Sequence, residues 1–369
     1  MNSANKLFIT GATGFLGGAI AAELFQQKRL NECLFLVRAE SISQALHRIK
    51  TNMRLFDVPE YQLDELTTAH ILLGDLGSTD WHQDERLNQV HSVINSAAVA
   101  SFGKSPRIWT VNHDDTLTFA GRMAELPQLN RFLHVGTGMA CGTQAESPVS
   151  ESYEAGDAAQ HLVPYTRSKA AVEAKMAELY PNLPLVVARP SIIVGHTKLG
   201  CAPSSSIFWV FRMAKALGEF VCDFDDKVDV IPVDWTARAI IHLLDKPTLK
   251  WKRYHISAGQ DFSNSFKEID QGLSVALNQE PMIYEPTSYE KLYARRKDFK
   301  TLFGSINPRM IPSAIKLYGG FSQLNMLFDN SRLLLEGFSM PPRFSDYIDV
   351  CVKTTLDQTI AELMMIDFK

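Results

Sequence analysis

A glycine-rich turn close to the start of the chain, Thr10-Gly11-Ala12-Thr13-Gly14-Phe15-Leu16-Gly17, limits what this polypeptide can fold into. The apolar run at residues 7–9 reads as a short buried strand, and residues 18–25 continue with helical spacing. Each glycine occupies a place a side chain would obstruct. Gly11 allows a tight exit from the strand, Gly14 lets backbone approach a pyrophosphate, and Gly17 lets helix pack close on strand. The first helical turn then presents free N–H groups and the positive end of its dipole to phosphate. Strand, turn and helix in this order are the context that makes the spacing a dinucleotide site, with Thr13, Phe15 and Leu16 on the same path.

Composition narrows the remaining classes. At 369 residues, 46% hydrophobic and 21% charged, the chain suits a soluble globular protein of one large domain or two modest ones. A net charge of −4 gives no basis for nucleic-acid binding. The five cysteines are scattered, with no Cys-x-x-Cys spacing, which predicts reduced thiols in a cytoplasmic setting and neither disulfides nor a metal site. No signal peptide is recognisable, and no run approaches the ~18 apolar residues of a transmembrane span. Nothing in the composition forbids a homodimer.

Strand and helix patterns alternate as far as Gly195, which predicts an α/β fold built on a doubly wound parallel sheet of the Rossmann type. Residues 1–195 form that dinucleotide-binding domain, with 228–258 returning to it. Residues 196–227 and 259–369 form a smaller, mostly helical C-terminal substrate lobe. The second strand, residues 33–37, ends at Arg38, about twenty residues past Gly17, where NAD enzymes place an acid on the ribose 2′-hydroxyl. An arginine there suits a 2′-phosphate instead, through its planar fork of donors, and Arg48 on the next helix adds a second cation. NADPH is therefore expected over NADH; Glu40 is the opposing charge.

Further along, Asp75 and Leu76 follow the third strand at the expected edge of the adenine. The small residues around Ala97 let a cofactor lie over the fourth strand. Pro190 and Ile193 leave the sixth strand at the same end. Residues 105–126 have helical periodicity with Asn112 inside it. A helical run at 204–220 holds Phe208, Trp209, Phe211 and Met213, which suit either a substrate wall or packing between lobes. Residues 228–233 read as a strand returning to the sheet, with Asp234 capping a helix at 235–244. Tyr318, Phe321, Met326, Leu327 and Phe328 read as core, with a lipid or partner surface as the alternative.

The catalytic pattern is Tyr165-Thr166-Arg167-Ser168-Lys169 at the start of a helical stretch. Tyrosine and lysine at i and i+4 share a helix face. An ammonium so placed favours the phenolate, moving a phenol from its ordinary pKa of ~10 towards working pH. Such a tyrosine exchanges a proton with a carbonyl or alcohol oxygen. Thr137, beside glycines after the fifth strand, is placed to reach a ligand.

With the glycine turn and Tyr165-x-x-x-Lys169 both present, residues 5–260 resemble the extended short-chain dehydrogenases/reductases. Within them the chain is most similar to the thioester reductase and fatty acyl-CoA reductase branch. That likeness rests on Leu36-Val37-Arg38-Ala39, Gly74-Asp75-Leu76, residues 94–98, residues 189–195 and Ile231-Pro232-Val233-Asp234. The resemblance implies that Thr137 holds the substrate oxygen beside Tyr165, that Lys169 also binds the nicotinamide ribose, and that Asn112 supports a proton relay. It implies an NADPH-dependent reduction of an acyl thioester on coenzyme A or an acyl or peptidyl carrier protein, to aldehyde or onward to alcohol. The chain departs from the branch at Gly136, where a serine is usual, and at residues 113–115 after Asn112. No adenylation or carrier domain accompanies it, so the acyl group is expected to arrive on another molecule. The alternatives are the same machinery acting on a simple ketone, aldehyde or alcohol; a nucleotide-sugar epimerase or dehydratase; and a non-catalytic NADP-binding sensor.

Overall fold

The computed structural model describes residues 6–156, 158–305 and 310–367. Seven parallel strands form the central sheet: β1 (Lys6–Thr10), β2 (Cys33–Val37), β3 (Ile71–Leu73), β4 (Val90–Asn95), β5 (Arg131–Val135), β6 (Leu185–Pro190) and β7 (Arg253–Ile256). Their order is β3-β2-β1-β4-β5-β6-β7, so the winding reverses between β1 and β4, the place where open parallel sheets bind ligands.

Alternation along β1 divides the core in two. Leu7 and Ile9 face one cluster, with α1 (Phe15–Gln26), α2 (Ile42–Arg54) and a helix at Val233–Asp245. Phe8 faces the other, with Trp81, Phe119 and Phe132, and with Val172 of α3 (Pro164–Leu179). A sheet covered on both faces explains why its strands read as unbroken apolar runs. Across the switch point, Thr10 pairs with Asn95. The Thr10 hydroxyl donates to Asn95 Oδ1 at 2.7 Å and accepts from Ala97 N at 3.1 Å, which fixes the start of the loop after β4.

Beyond Gly195 the described chain is mainly helical, including α4 (Phe208–Leu217), α5 (Val233–Asp245), α6 (Phe266–Leu277) and α7 (Met310–Ser322). Three sequence expectations are corrected here. Residues 228–233 do not join the main sheet: Val230–Ile231 pairs with Ile192–Ile193 in a separate two-stranded ladder, and β7 is the returning strand. Pro232, which lacks an N–H, ends that ladder and serves as N-cap of α5. Asp234 therefore lies inside the first helical turn rather than capping it, and its carboxylate accepts from Thr197 N and Oγ1 at 3.0 and 2.7 Å. The run at 204–220 is helical only through α4, which stops at Gly218 with φ +70°. No helix among the described residues is long and apolar enough to cross a membrane.

Candidate active site

The glycine turn is as tight as its sequence demands. Gly11 has φ +80°, and a Cβ on Gly17 would lie 2.2 Å from the Gly11 carbonyl oxygen. Asn52 of α2 secures the loop from behind, its Nδ2 donating to Ala12 O at 2.9 Å and Gly14 O at 3.0 Å. Gly14 is the N-cap of α1 and brings no side-chain cap, so the first-turn N–H groups stay open for an anion.

One large cavity, about 750 Å³, runs from this turn along the carboxyl ends of the strands. Gly11, Thr13, Gly14, Phe15, Leu16 and Gly17 form one end. Arg38 and Arg48 line it beyond β2, where Arg48 donates to the Arg38 carbonyl and, at 3.5 Å, to Thr13 Oγ1. Glu40 is not among the lining residues. Asp75, Leu76 and Ala97 follow, then Pro190 and Ile193. The Asp75 carboxylate also accepts from Gly77 N and Ser78 N, which shapes the turn after β3. Asp115, noted in the sequence only as part of a departure from the branch pattern, faces the cavity near Asp75; burial first, then Asp75 and Asp114, hold its carboxyl above the usual range. A backbone cradle that a Cβ would fill, an uncapped helix start, Arg38 after β2 and Arg48 on α2 fit a dinucleotide phosphate chain.

Thr137, Tyr165 and Lys169 line the same cavity. Thr137 accepts from Met139 N at 3.3 Å, leaving its O–H free to donate. Lys169 is 2% exposed and donates to the Val135 carbonyl at 2.7 Å. Burial lowers its ammonium to about 8, opposed by the charge of Glu173 one turn on. Burial pushes the Tyr165 phenol up to about 12. The expected lowering by Lys169 is therefore not found: the ammonium is turned to the end of β5, and desolvation dominates.

Asn112 does not line the cavity. It lies in a π-helical segment, Thr110–Asp115, fully buried. Its Oδ1 accepts from Val99 N at 2.8 Å, and its Nδ2 donates to Val99 O at 3.2 Å and Ser168 Oγ at 3.3 Å. It thereby ties the loop after β4 to the helix that carries Tyr165 and Lys169.

The far end of the cavity is aromatic. Of the four residues singled out in the 204–220 run, Phe211 reaches it together with Ser204, Ser206 and Ile207, while Phe208, Trp209 and Met213 are core. Tyr318, Phe321, Met326 and Phe328, read as core from sequence, line it; so do Phe102 and Phe266, which no sequence motif marked. Rings spaced for a helix face look alike whether they fill a core or wall a pocket.

The profile of the family described as Male sterility protein (NAD_binding_4) matches residues 9–240. The chain belongs to that family. That profile is of an NAD-binding domain. It is 25% identical over 267 residues to aldehyde reductase lnaA of Aspergillus flavus, covering 68% of this chain and 25% of that protein. Among solved structures it is similar to the terminal R domain of the myxalamid PKS-NRPS pathway, with TM-score 0.75, 17% identity, and 97% and 92% of the two chains covered. It is also similar to the reductase (R) domain of a Mycobacterium tuberculosis non-ribosomal peptide synthetase, with TM-score 0.71, 21% identity, and 95% and 91% covered. Both share the fold. The chain spans about a quarter of the length of lnaA and 36% of a nonribosomal peptide synthetase of Aspergillus hancockii.

Proposed function

We propose that this protein reduces an acyl thioester, carried by coenzyme A or by an acyl or peptidyl carrier protein, to the aldehyde with NADPH. The observation that carries the reading is that Thr137, Tyr165 and Lys169 share one cavity with the glycine turn. Gly11 to Gly17 and the start of α1 would hold the pyrophosphate. Arg38 and Arg48 would hold a 2′-phosphate, Asp75, Leu76 and Ala97 the adenosine, and Lys169, Pro190 and Ile193 the nicotinamide half. When bound, the reduced nicotinamide supplies a hydride to the carbonyl carbon.

Thr137 and Tyr165 donate hydrogen bonds to the carbonyl oxygen, where negative charge develops and preorganised donors contribute most. A phenol pushed to about 12 is protonated at neutral pH, so Tyr165 acts as an acid, as reduction requires. Lys169, one helical turn on, lines the same cavity and supplies positive charge there. The resulting hemithioacetal returns its hydroxyl proton, the C–S bond breaks, and the thiol departs with that proton to leave aldehyde. One thioester, one NADPH and one proton thus give aldehyde, thiol and NADP. A second round on the aldehyde gives the alcohol. Asn112 is a positioning residue in this scheme, acting through Val99 and Ser168 rather than on substrate.

Tyr165→Phe is expected to lower kcat by about 10²-fold or more while NADPH binding, followed by fluorescence titration, stays nearly unchanged. Retained turnover would remove Tyr165 from the mechanism, and NADPH consumption with ketones but with no thioester would overturn the substrate class. Arg38→Ala is expected to raise the KM for NADPH far more than that for NADH, because only the former carries the 2′-phosphate. An equal rise in both would overturn the cofactor assignment.

A further inference from the structure

Resting on the thioester reading, the far end of the cavity also indicates what kind of acyl group it takes. Phe102 stands at the junction between chemistry and pocket. Its ring lies 6.0 Å from Tyr165, 5.7 Å from Tyr318 and 5.3 Å from Phe321, all tilted. Phe211, Phe266 and Phe328 add further rings to the wall. These rings come from five stretches of chain, and Tyr318 is held in turn by an edge contact to Trp209 at 5.1 Å.

Charge is scarce at this end. Asp229 is buried and accepts from Ala258 N at 2.7 Å, Gly259 N at 3.3 Å and Phe328 N at 3.4 Å, so its carboxylate is engaged by backbone. Lys227 lies beside it and donates to Gln260 O at 3.0 Å. The acyl group therefore meets mainly rings, with Ile207, Val228 and Met326 and the uncharged polar Ser322 and Asn325 between them.

Two physical arguments select its shape. Aromatic pairs favour offset or edge-on contacts at centroid separations of about 4.5–7 Å and gain from them beyond the area they bury. A flat ring also enters with few rotors to freeze, whereas a linear chain must order every bond. The aromatic wall starts at the catalytic phenol itself, not beyond an apolar channel, so the preferred ring is joined to the carbonyl through a short spacer. We propose that the substrate is an aryl or short arylalkyl thioester of the phenylacetyl or cinnamoyl kind, its ring seated against Phe102 and Phe321, and not a long linear alkanoyl thioester.

The test compares N-acetylcysteamine thioesters of phenylacetic, cinnamic and octanoic acids with the full chain and NADPH. The aryl thioesters are expected to exceed octanoyl in kcat/KM by about tenfold, the equivalent of about 1.4 kcal/mol. Phe321→Leu, which keeps an apolar side chain, is expected to erase most of that advantage by lowering kcat/KM for the aryl thioesters several-fold more than for octanoyl. Phe102→Leu repeats the test from another segment, and an unchanged NADPH titration shows that each variant is folded. An octanoyl thioester as good as the aryl ones, or equal losses for both classes in both variants, would overturn the proposal. The same comparison with phenylacetaldehyde and octanal separates the two readings. Turnover of aldehydes alone, with the aryl preference kept, defeats the thioester chemistry and supports the aromatic pocket. Turnover of thioesters with an alkyl preference does the reverse, and turnover of nothing defeats both.

Discussion

Gly136 stands where the resemblance read from the sequence implies a serine, and a side chain there meets a steric conflict. A Cβ at that position would lie 2.2 Å from Glu173 Oε1 and 3.4 Å from Arg189 Cγ. Glu173 and Arg189 form a buried pair in which Arg189 Nε and Nη2 donate to Glu173 Oε2 at 2.9 and 2.6 Å. Moving one member would strand a charge away from water, which is far more costly than a displaced surface side chain. Gly136→Ala is therefore expected to destabilise the protein by about 1–3 kcal/mol in denaturant unfolding. Glu173→Asp shortens the carboxylate's reach, so the double substitution should lose less than the sum of the two single ones. Strict additivity would refute the steric account. The glycines of the opening turn were legible because their constraint acts over seven residues. That of Gly136 was not, because the atom it avoids belongs to a residue on another element.

Along α3, Tyr165, Lys169 and Glu173 follow at i, i+4 and i+8, and the sequence disclosed the first pair but not the field around it. Lys169 faces two opposed influences: burial, which lowers its ammonium to about 8, and Glu173, which raises it. The charged form prevails below that value, so kcat/KM is expected to hold on the acid side and fall as pH rises past about 8. Glu173→Gln removes the opposing charge and should bring the alkaline limb to lower pH. Lys169→Arg should carry it higher, since guanidinium stays protonated. A profile flat through this region, or a limb indifferent to Glu173→Gln, would rule out Lys169 as its source. The neighbouring element was less readable. Residues 105–126 scan as one helix, yet a π-helical segment interrupts it at Thr110–Asp115 and directs Asn112 at the Val99 backbone. Such bulges alter the register of a helix without altering its composition, and they recur at functional sites.

At the scale of the whole molecule, the site is closed by chain that returns from far away. Phe328 packs where Gly138 has no side chain; a Cβ there would lie 3.0 Å from its ring. Val149 N donates to Leu327 O at 2.7 Å and Asp329 N donates to Val149 O at 2.9 Å, pinning that segment beside the Thr137 turn. Glu151, buried, accepts from His255 N and Arg332 N, and so ties β7 to the same stretch. The alternating apolar runs and the glycine spacing by themselves determined a doubly wound parallel sheet with a dinucleotide turn, because strand, turn and helix preferences act over a few residues and survive in one dimension. That Tyr165 and Lys169 lie one turn apart on one helix was readable for the same reason. Only the tertiary structure decided which aromatic residues are pocket and which are core, that Val230–Ile231 stays off the main sheet, and that the phenol is raised rather than lowered. Those outcomes depend on burial and on neighbours dozens to hundreds of residues away, and neither quantity is written in local spacing.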